Sequence, residues 1–205
     1  MLKQDLYCDM VLIPASEFQM GRKKGGRSMS PERVAMVESF HIDIYPVTNE
    51  KYSRIMTDWR YPPGKKEYPV VGMPYDEILE YCRRAGKRLP TEAEWEKAAR
   101  GDQDARIYPW GNVFSSDKCN CSKFFFLVKS RAKPVAMFEQ GKSPYGCYDM
   151  IGNVWEWTAT SVDEDQYVLK GGSSFSPSKR HLTIPSRLIA HRNSINYTFG
   201  FRCCI

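Results

Sequence analysis

The sequence predicts an α+β fold, a single domain of small mixed sheets flanked by two or three helices with much irregular chain between them. Three observations predict it. Residues 10–20 and 34–46 are rich in Val, Ile, Phe and Tyr with short polar interruptions, as strands are. Two stretches between Pro74 and Gly101 carry helix start and stop signals. Over 59–74 and again over 108–144 the periodicity fails, as in irregular connections. With 205 residues, 42% hydrophobic and 13% aromatic, the chain is long enough for one buried core and short for two.

The elements follow in order. Gly21–Pro31, between the first two strand regions, is basic and glycine-rich and reads as a loop, either solvated or touching an anion; it lacks the strand and helix context of a phosphate-binding loop. Thr48 can cap a short helix over about 49–56. Pro74 suits the first turn of a second helix, with Ile78, Leu79 and Cys82 on one side and Gly86 as its stop. Thr91 and Glu94 form a capping box, so a third helix starts after Thr91, runs to about Arg100 with Trp95, Ala98 and Ala99 on one face, and stops at Gly101. Glu92, Glu94 and Glu96 read as ordinary first-turn carboxylates favoured by the helix dipole. Phe124–Val128 is a compact apolar run, a buried strand or an exposed partner patch.

Charge excludes little. A net +6 and a pI near 8.9 favour anionic partners weakly, but 24 acids are mixed among 30 bases and no nucleic-acid motif accompanies them, so no nucleic acid is expected. No apolar run approaches the roughly 20 residues that cross a bilayer, so no membrane partner is expected. An acid stands in the first eight residues where a signal peptide needs an apolar core, and a cytoplasmic location is the expectation. Seven cysteines make no even framework, so at least one should be free. Cys119-Asn-Cys121 could hold a soft metal, yet without a second pair it reads as ordinary buried thiols.

The densest stretch is Tyr145–Trp157, where Asp149 and Glu156 bracket Gly152 and two tryptophans alternate around Glu156. Hard oxygen donors around a tight glycine turn can converge on a cation, calcium above all. The alternative is a buried aromatic turn with paired or solvated carboxylates.

Gly152-Asn-Val-Trp-Glu-Trp157 resembles the signature of the formylglycine-generating enzyme, or sulfatase-modifying factor, family, a variant of the C-type-lectin-like fold. Met10–Gly21, Val47–Asn49, Ala85–Glu96, Tyr108–Asn112, Lys170–Ser173 and Gly200–Cys203 are similar to further family motifs in the family's order. The resemblance implies a calcium site from the Asp149 and Glu156 side chains and the Gly152 and Val154 carbonyls. The family carries asparagine at the Asp149 position, and the added charge suits a divalent cation. A second family calcium site looks lost, because Asn120 matches but no acid follows before Glu139. Cys82 and Cys203 match a pair that is disulfide-linked in secreted relatives and should lie close; in a reducing cytosol they should be thiols.

The same resemblance bears on activity. Oxygen-dependent members bind copper(I) with two cysteines five residues apart and oxidise a substrate cysteine to formylglycine; Ser176 and His181 stand at those positions here. A hydroxyl is no soft ligand, so copper is not expected. A structural cysteine pair is replaced by Ala99 and Ser186 together. Trp155 and Ser173 match residues of the substrate groove, Arg192 matches a groove arginine across a gap, and Thr198 stands where relatives have asparagine. With Ser176 and His181 they outline a carboxy-terminal cleft for a peptide, a small molecule or a protein ligand. The expectation is therefore a calcium-stabilised binding module without formylglycine-generating activity. The alternative is an oxidoreductase with altered iron- or copper-dependent chemistry on a peptide or small molecule; a remaining route would recruit Cys203 or Cys204.

Overall fold

A computed structural model describes residues 9–23, 28–122 and 131–205. The apolar run 124–128, and residues 24–27 of the basic run Gly21–Pro31, lie outside the described residues.

Strands β1 (Met10–Ile13) and β2 (Ser16–Met20) are followed by β3 (Arg33–Val37) and β4 (Phe40–Asp43). They pair antiparallel as β1 with β4 and β2 with β3, so each strand region is two short strands broken by two residues, Pro14-Ala15 in the first and Glu38-Ser39 in the second. Helix α1 (Asn49–Ile55) starts at Thr48, whose hydroxyl accepts from the Lys51 N–H at 3.2 Å. Helix α2 (Tyr75–Ala85) takes Pro74 as its cap residue and ends at Gly86, which adopts φ +67°. A residue with a Cβ is disfavoured there, and glycine closes the helix without that cost.

Helix α3 (Glu92–Arg100) has the full capping box: the Glu94 N–H donates to Thr91 Oγ1 at 3.2 Å, and the Thr91 N–H to Glu94 Oε2 at 2.7 Å. Such a cap stabilises a helix start by about 1 kcal/mol. The last sheet is mixed. Strands β5 (Trp155–Ser161), β6 (Gln166–Lys170), β7 (Arg187–His191) and β8 (Phe199–Phe201) lie in the order β7-β6-β5-β8, with β8 parallel to β5 and the other pairs antiparallel.

The core has two lobes. One gathers the strands β1–β4 around Trp95, Ala98 and Ala99 of α3, with Met150, Leu182 and Ile184. The other packs α1 and α2 against the mixed sheet through Tyr52, Tyr75, Ile78, Tyr81, Trp157 and Phe201. Leu79 differs from its expected placement: it is exposed, and the inward face of α2 is Tyr75, Ile78, Tyr81, Cys82 and Ala85. Two tyrosines that stack or cross with Tyr52, Tyr167 and Phe201 bury more apolar area than one leucine, and they set the helix rotation.

The carboxylates of α3 also depart from expectation. Glu92 and Glu96 are buried. Glu96 accepts from Arg100 Nη2 at 2.7 Å, Lys170 Nζ at 3.0 Å and the Gly21 N–H at 2.5 Å, and Ser30 Oγ donates to Glu92 Oε1 at 2.6 Å. Arg187 stands 3.6 Å from Glu92. Desolvation works against the Glu96 charge, yet Lys170 and Arg100 hold its carboxyl below the usual carboxylate range. These groups tie the β2–β3 hairpin, α3 and the mixed sheet into one body, which fixes the frame of the site. No helix among the described residues is long and apolar enough to cross a membrane.

Candidate functional site

The 149–157 segment enters the sheet through three left-handed residues, Asp149 (φ +56°), Gly152 (φ +83°) and Asn153 (φ +60°). At Gly152 a Cβ would stand 2.4 Å from the Asn120 carbonyl oxygen, so only glycine lets the two backbones meet. Asn153 is the hub of this turn. Its Oδ1 accepts from Asn120 Nδ2 at 3.0 Å and from the Lys133 N–H at 2.9 Å, and its carbonyl accepts from the Ser174 N–H at 3.0 Å. Sequence reasoning passed over Asn153; the Gly-Asn pair was the signal, since asparagine tolerates the left-handed region.

Beyond it, Trp155, Glu156 and Trp157 are all buried, the tryptophans on one face of β5 and Glu156 on the other. Glu156 forms a fork with Arg202: Nε to Oε2 at 2.7 Å and Nη2 to Oε1 at 2.8 Å, while Trp95 Nε1 donates to Oε2 at 2.6 Å. Burial works against the Arg202 charge, and the Glu156 carboxylate outweighs it, raising the arginine above its ordinary value. Of the expected calcium donors Asp149, Gly152, Val154 and Glu156, the last is therefore committed to a guanidinium and an indole.

Asp149 has the opposite surroundings. It is buried, its Oδ2 accepts from the Ala136 N–H at 2.9 Å, and no salt bridge reaches it among the described residues. Desolvation pushes its carboxyl up to about 6, against a smaller lowering from the Ala136 N–H and Arg202. A buried carboxylate short of positive charge is chemically suited to a hard cation, with the carbonyls of Gly152 and Val154 close in the chain. No cluster of three or more His, Cys, Asp and Glu side chains suited to a metal occurs among the described residues.

The expected cleft residues divide. Trp155 and Thr198 meet where the Trp155 N–H donates to the Thr198 carbonyl at 2.8 Å, and Ser174 joins through Asn153. Ser173 and Ser176 lie side by side, the Ser173 N–H donating to Ser176 Oγ at 2.9 Å. Trp155, Ser173 and Ser176 are buried and make a floor; close to them in the chain, Phe175 beside Ser176 and Tyr197 beside Thr198 are exposed. His181 closes the loop: its carbonyl lies under Gly172, and its Nδ1 is 3.0 Å from Ser178 Oγ.

Arg192 is not brought to this group. It follows the His191–Gln166 pair, at the far end of the β6–β7 ladder from the Lys170–Arg187 pair that adjoins Glu156. At about 3.3 Å per residue that is about 13 Å along the sheet. There its Nη2 pairs with Asp76 at the start of α2, and its carbonyl accepts from the Tyr75 N–H.

The thiols are elsewhere. Cys82 and Cys203 are 3.6 Å apart between α2 and the strand end, and the six described cysteines are buried and outside any disulfide. Burial, and then the neighbouring Cys82, push the Cys203 thiol up; burial also raises Cys204, and takes Cys147 to about 11. Cys119 is raised too, by its contact with Cys121 and then by burial. None of these four is disposed to be a thiolate near neutral pH.

A sulfatase-modifying factor enzyme 1-like domain is matched over residues 2–205. The chain belongs to that family. An inactive C-alpha-formylglycine-generating enzyme 2 of Bos taurus is 30% identical over 263 residues, covering 95% of this chain and 87% of that protein. The formylglycine-generating enzyme of Bos taurus is 27% identical over 217 residues, covering 73% of this chain and 57% of that protein. Among solved structures, Treponema denticola variable protein 1 superposes with a TM-score of 0.77 at 19% identity, covering 95% of this chain and 94% of its own, a likeness of fold. The α+β fold of the sulfatase-modifying factor family expected from the motifs is thus the one found, with few helices and small sheets.

Proposed function

We propose that this sulfatase-modifying factor domain is a non-catalytic recognition module, whose cleft beside Trp155 takes a peptide, small-molecule or protein ligand. One observation carries the reading. The two positions where oxygen-dependent members hold copper carry Ser176, whose hydroxyl accepts from a backbone N–H inside the floor, and His181, whose Nδ1 is engaged by Ser178. A buried hydroxyl already bound to the main chain cannot replace a thiolate as ligand or as redox partner. The bovine relative is itself named as inactive, which supports the same reading. Recognition is supported by the rim: Phe175, next in sequence to the floor residue Ser176, is 44% exposed, and Tyr197, next to the Thr198 that accepts from the Trp155 N–H, is 79% exposed. Large exposed aromatic surface beside a polar floor favours ligand contact.

Calcium is the finer part of the proposal, held by the Asp149 carboxylate with the Gly152 and Val154 carbonyls and without Glu156. The cation would compensate the buried charge and brace the turn that positions Trp155.

The test of non-catalysis is incubation with a sulfatase-motif peptide, copper(I) and oxygen, read by mass spectrometry. An unchanged peptide mass is expected; conversion of the cysteine to formylglycine contradicts the proposal. For recognition, peptides selected from a random library on the intact chain should lose at least tenfold in affinity on Tyr197→Ala. Selection that yields no binder, or binders indifferent to Tyr197→Ala and Phe175→Ala, contradicts the cleft as the recognition surface.

A further inference from the structure

Cys119 and Cys121 take no part in the cleft, and two features bring them together. They are separated by Asn120 alone, which bridges to Gly152 in extended chain, so their side chains leave on one side. Their thiols are in contact, and both residues are enclosed, Cys119 at 3% and Cys121 at 7% exposure. Among the described residues the Cys119 thiol also meets the Ser115 carbonyl, but at 3.9 Å, which is a long contact.

The surroundings are apolar. Both side chains belong to the core lobe of Trp95, Met150, Ile151 and Leu182. Among the described residues no third His, Cys, Asp or Glu joins them in a metal-binding cluster. That donor set is selective. Thiolate sulfur is soft and suits copper(I), zinc or iron–sulfur clusters, yet zinc and the clusters take four ligands, and calcium takes oxygens. Copper(I) is the soft ion that two sulfurs alone can satisfy. On the scale of a zinc–thiolate bond, about 2.3 Å, thiols in contact need to part only slightly to admit one ion.

We infer that Cys119 and Cys121 form a two-coordinate copper(I) site in the core lobe. As the ion enters, each thiol releases its proton to solvent and each sulfur forms one bond to the metal, with no change of oxidation state. Metal displaces a thiol proton that burial would otherwise retain.

The consequence for the fold runs through Asn120, between the two ligands. Its carbonyl accepts from the Asn153 N–H at 2.9 Å, and its Nδ2 donates to Asn153 Oδ1 at 3.0 Å. Copper on both neighbours of Asn120 would therefore brace the Asn153 hub from the core side. The site is distinct from the Ser176 and His181 positions, and it stands whether or not the cleft takes a ligand.

The experiment titrates the reduced full chain with copper(I) without oxygen, in competition with the coloured chelator bicinchoninate. The chain should withdraw one equivalent, and X-ray absorption should count two sulfurs around the metal. In ¹³C-labelled wild type the Cβ resonances of Cys119 and Cys121 should shift to completion at that equivalent. Those of Cys82 and Cys203, the other thiols in contact, should stay in place. Cys119→Ser and Cys121→Ser should each weaken retention at least tenfold, against less than threefold for Cys82→Ser. The wild-type readings decide the question even where a serine variant fails to fold. A chain that yields all its copper to the chelator overturns the site, as does copper held by Cys82 and Cys203, a count above two sulfurs, or retention unchanged in both serine variants.

Discussion

Asp149 and Glu156 stand seven residues apart, one in the turn before β5 and one in the strand, both carboxylates are buried, and they have opposite fates. Glu156 meets a guanidinium in a two-bonded fork and an indole N–H besides. Asp149 meets one backbone N–H from Ala136 and, among the described residues, no ion-pair partner. Burial alone does not make a carboxylate a metal ligand or an acid with a raised pKa; what the remaining oxygens find decides it. The difference teaches that the same motif holds a structural anchor and, one turn earlier, a group still short of positive charge.

The largest way to break the contrast is on the anchor. Arg202→Met leaves Glu156 buried and unpaired and should cost about 3–5 kcal/mol, measured by denaturant unfolding. The double variant Glu156→Leu with Arg202→Leu should recover much of that loss, because removing both partners strands no charge. A single variant within 1 kcal/mol of wild type would mean that the fork is not what holds Glu156.

Next comes Asp149→Asn. The folded-state carboxyl sits at about 6, above its ordinary 3.8, so the folded chain binds the proton more tightly than the unfolded chain does. The contribution of Asp149 to stability should therefore be greatest below about pH 4, fall as pH rises through 4 to 6, and level off above. The displacement corresponds to on the order of 3 kcal/mol. Asp149→Asn should remove this slope from the difference between variant and wild type and, without added metal, stabilise the chain at pH 7. Parallel pH curves for the two proteins would contradict an uncompensated Asp149.

Smaller effects sharpen the picture. Trp95→Phe keeps the ring and deletes one charge-assisted donor to Glu156, so a loss of about 1.5–3 kcal/mol is expected in thermal or denaturant unfolding. Leu79→Ser, on the exposed side of α2, should change stability by less than about 0.5 kcal/mol. An equal substitution at Ile78, fully buried three positions from Tyr81, should be several-fold worse.

What could be read in the sequence was local or repeated over a motif. The Thr91–Glu94 box, the Thr48 cap and the Gly86 stop rest on spacings of a few residues, and each stands in the structure as expected. The family fold was legible for the same reason, through many short runs in order. What was missed depends on partners far away in the chain. Glu96 looks like a surface acid until Lys170 and Ser30 are brought to it, and Glu156 looks like a ligand until Arg202, 46 residues on, closes over it. Leu79 was assigned inward by helical spacing, which cannot weigh a leucine against tyrosines that find aromatic neighbours in other elements. Arg192 was placed by resemblance across a gap, and strand register puts it at the other end of the sheet.

The contrast is tested most directly by thermal melting of wild type and Asp149→Asn at pH 7 with added calcium or with chelator. The account predicts that calcium raises the wild-type midpoint and that chelator lowers it, since a ligand bound only by the folded state must stabilise it, and that the variant responds much less. A wild-type midpoint indifferent to both additions, or a variant that responds as strongly as wild type, would contradict Asp149 as the charge that the cation answers.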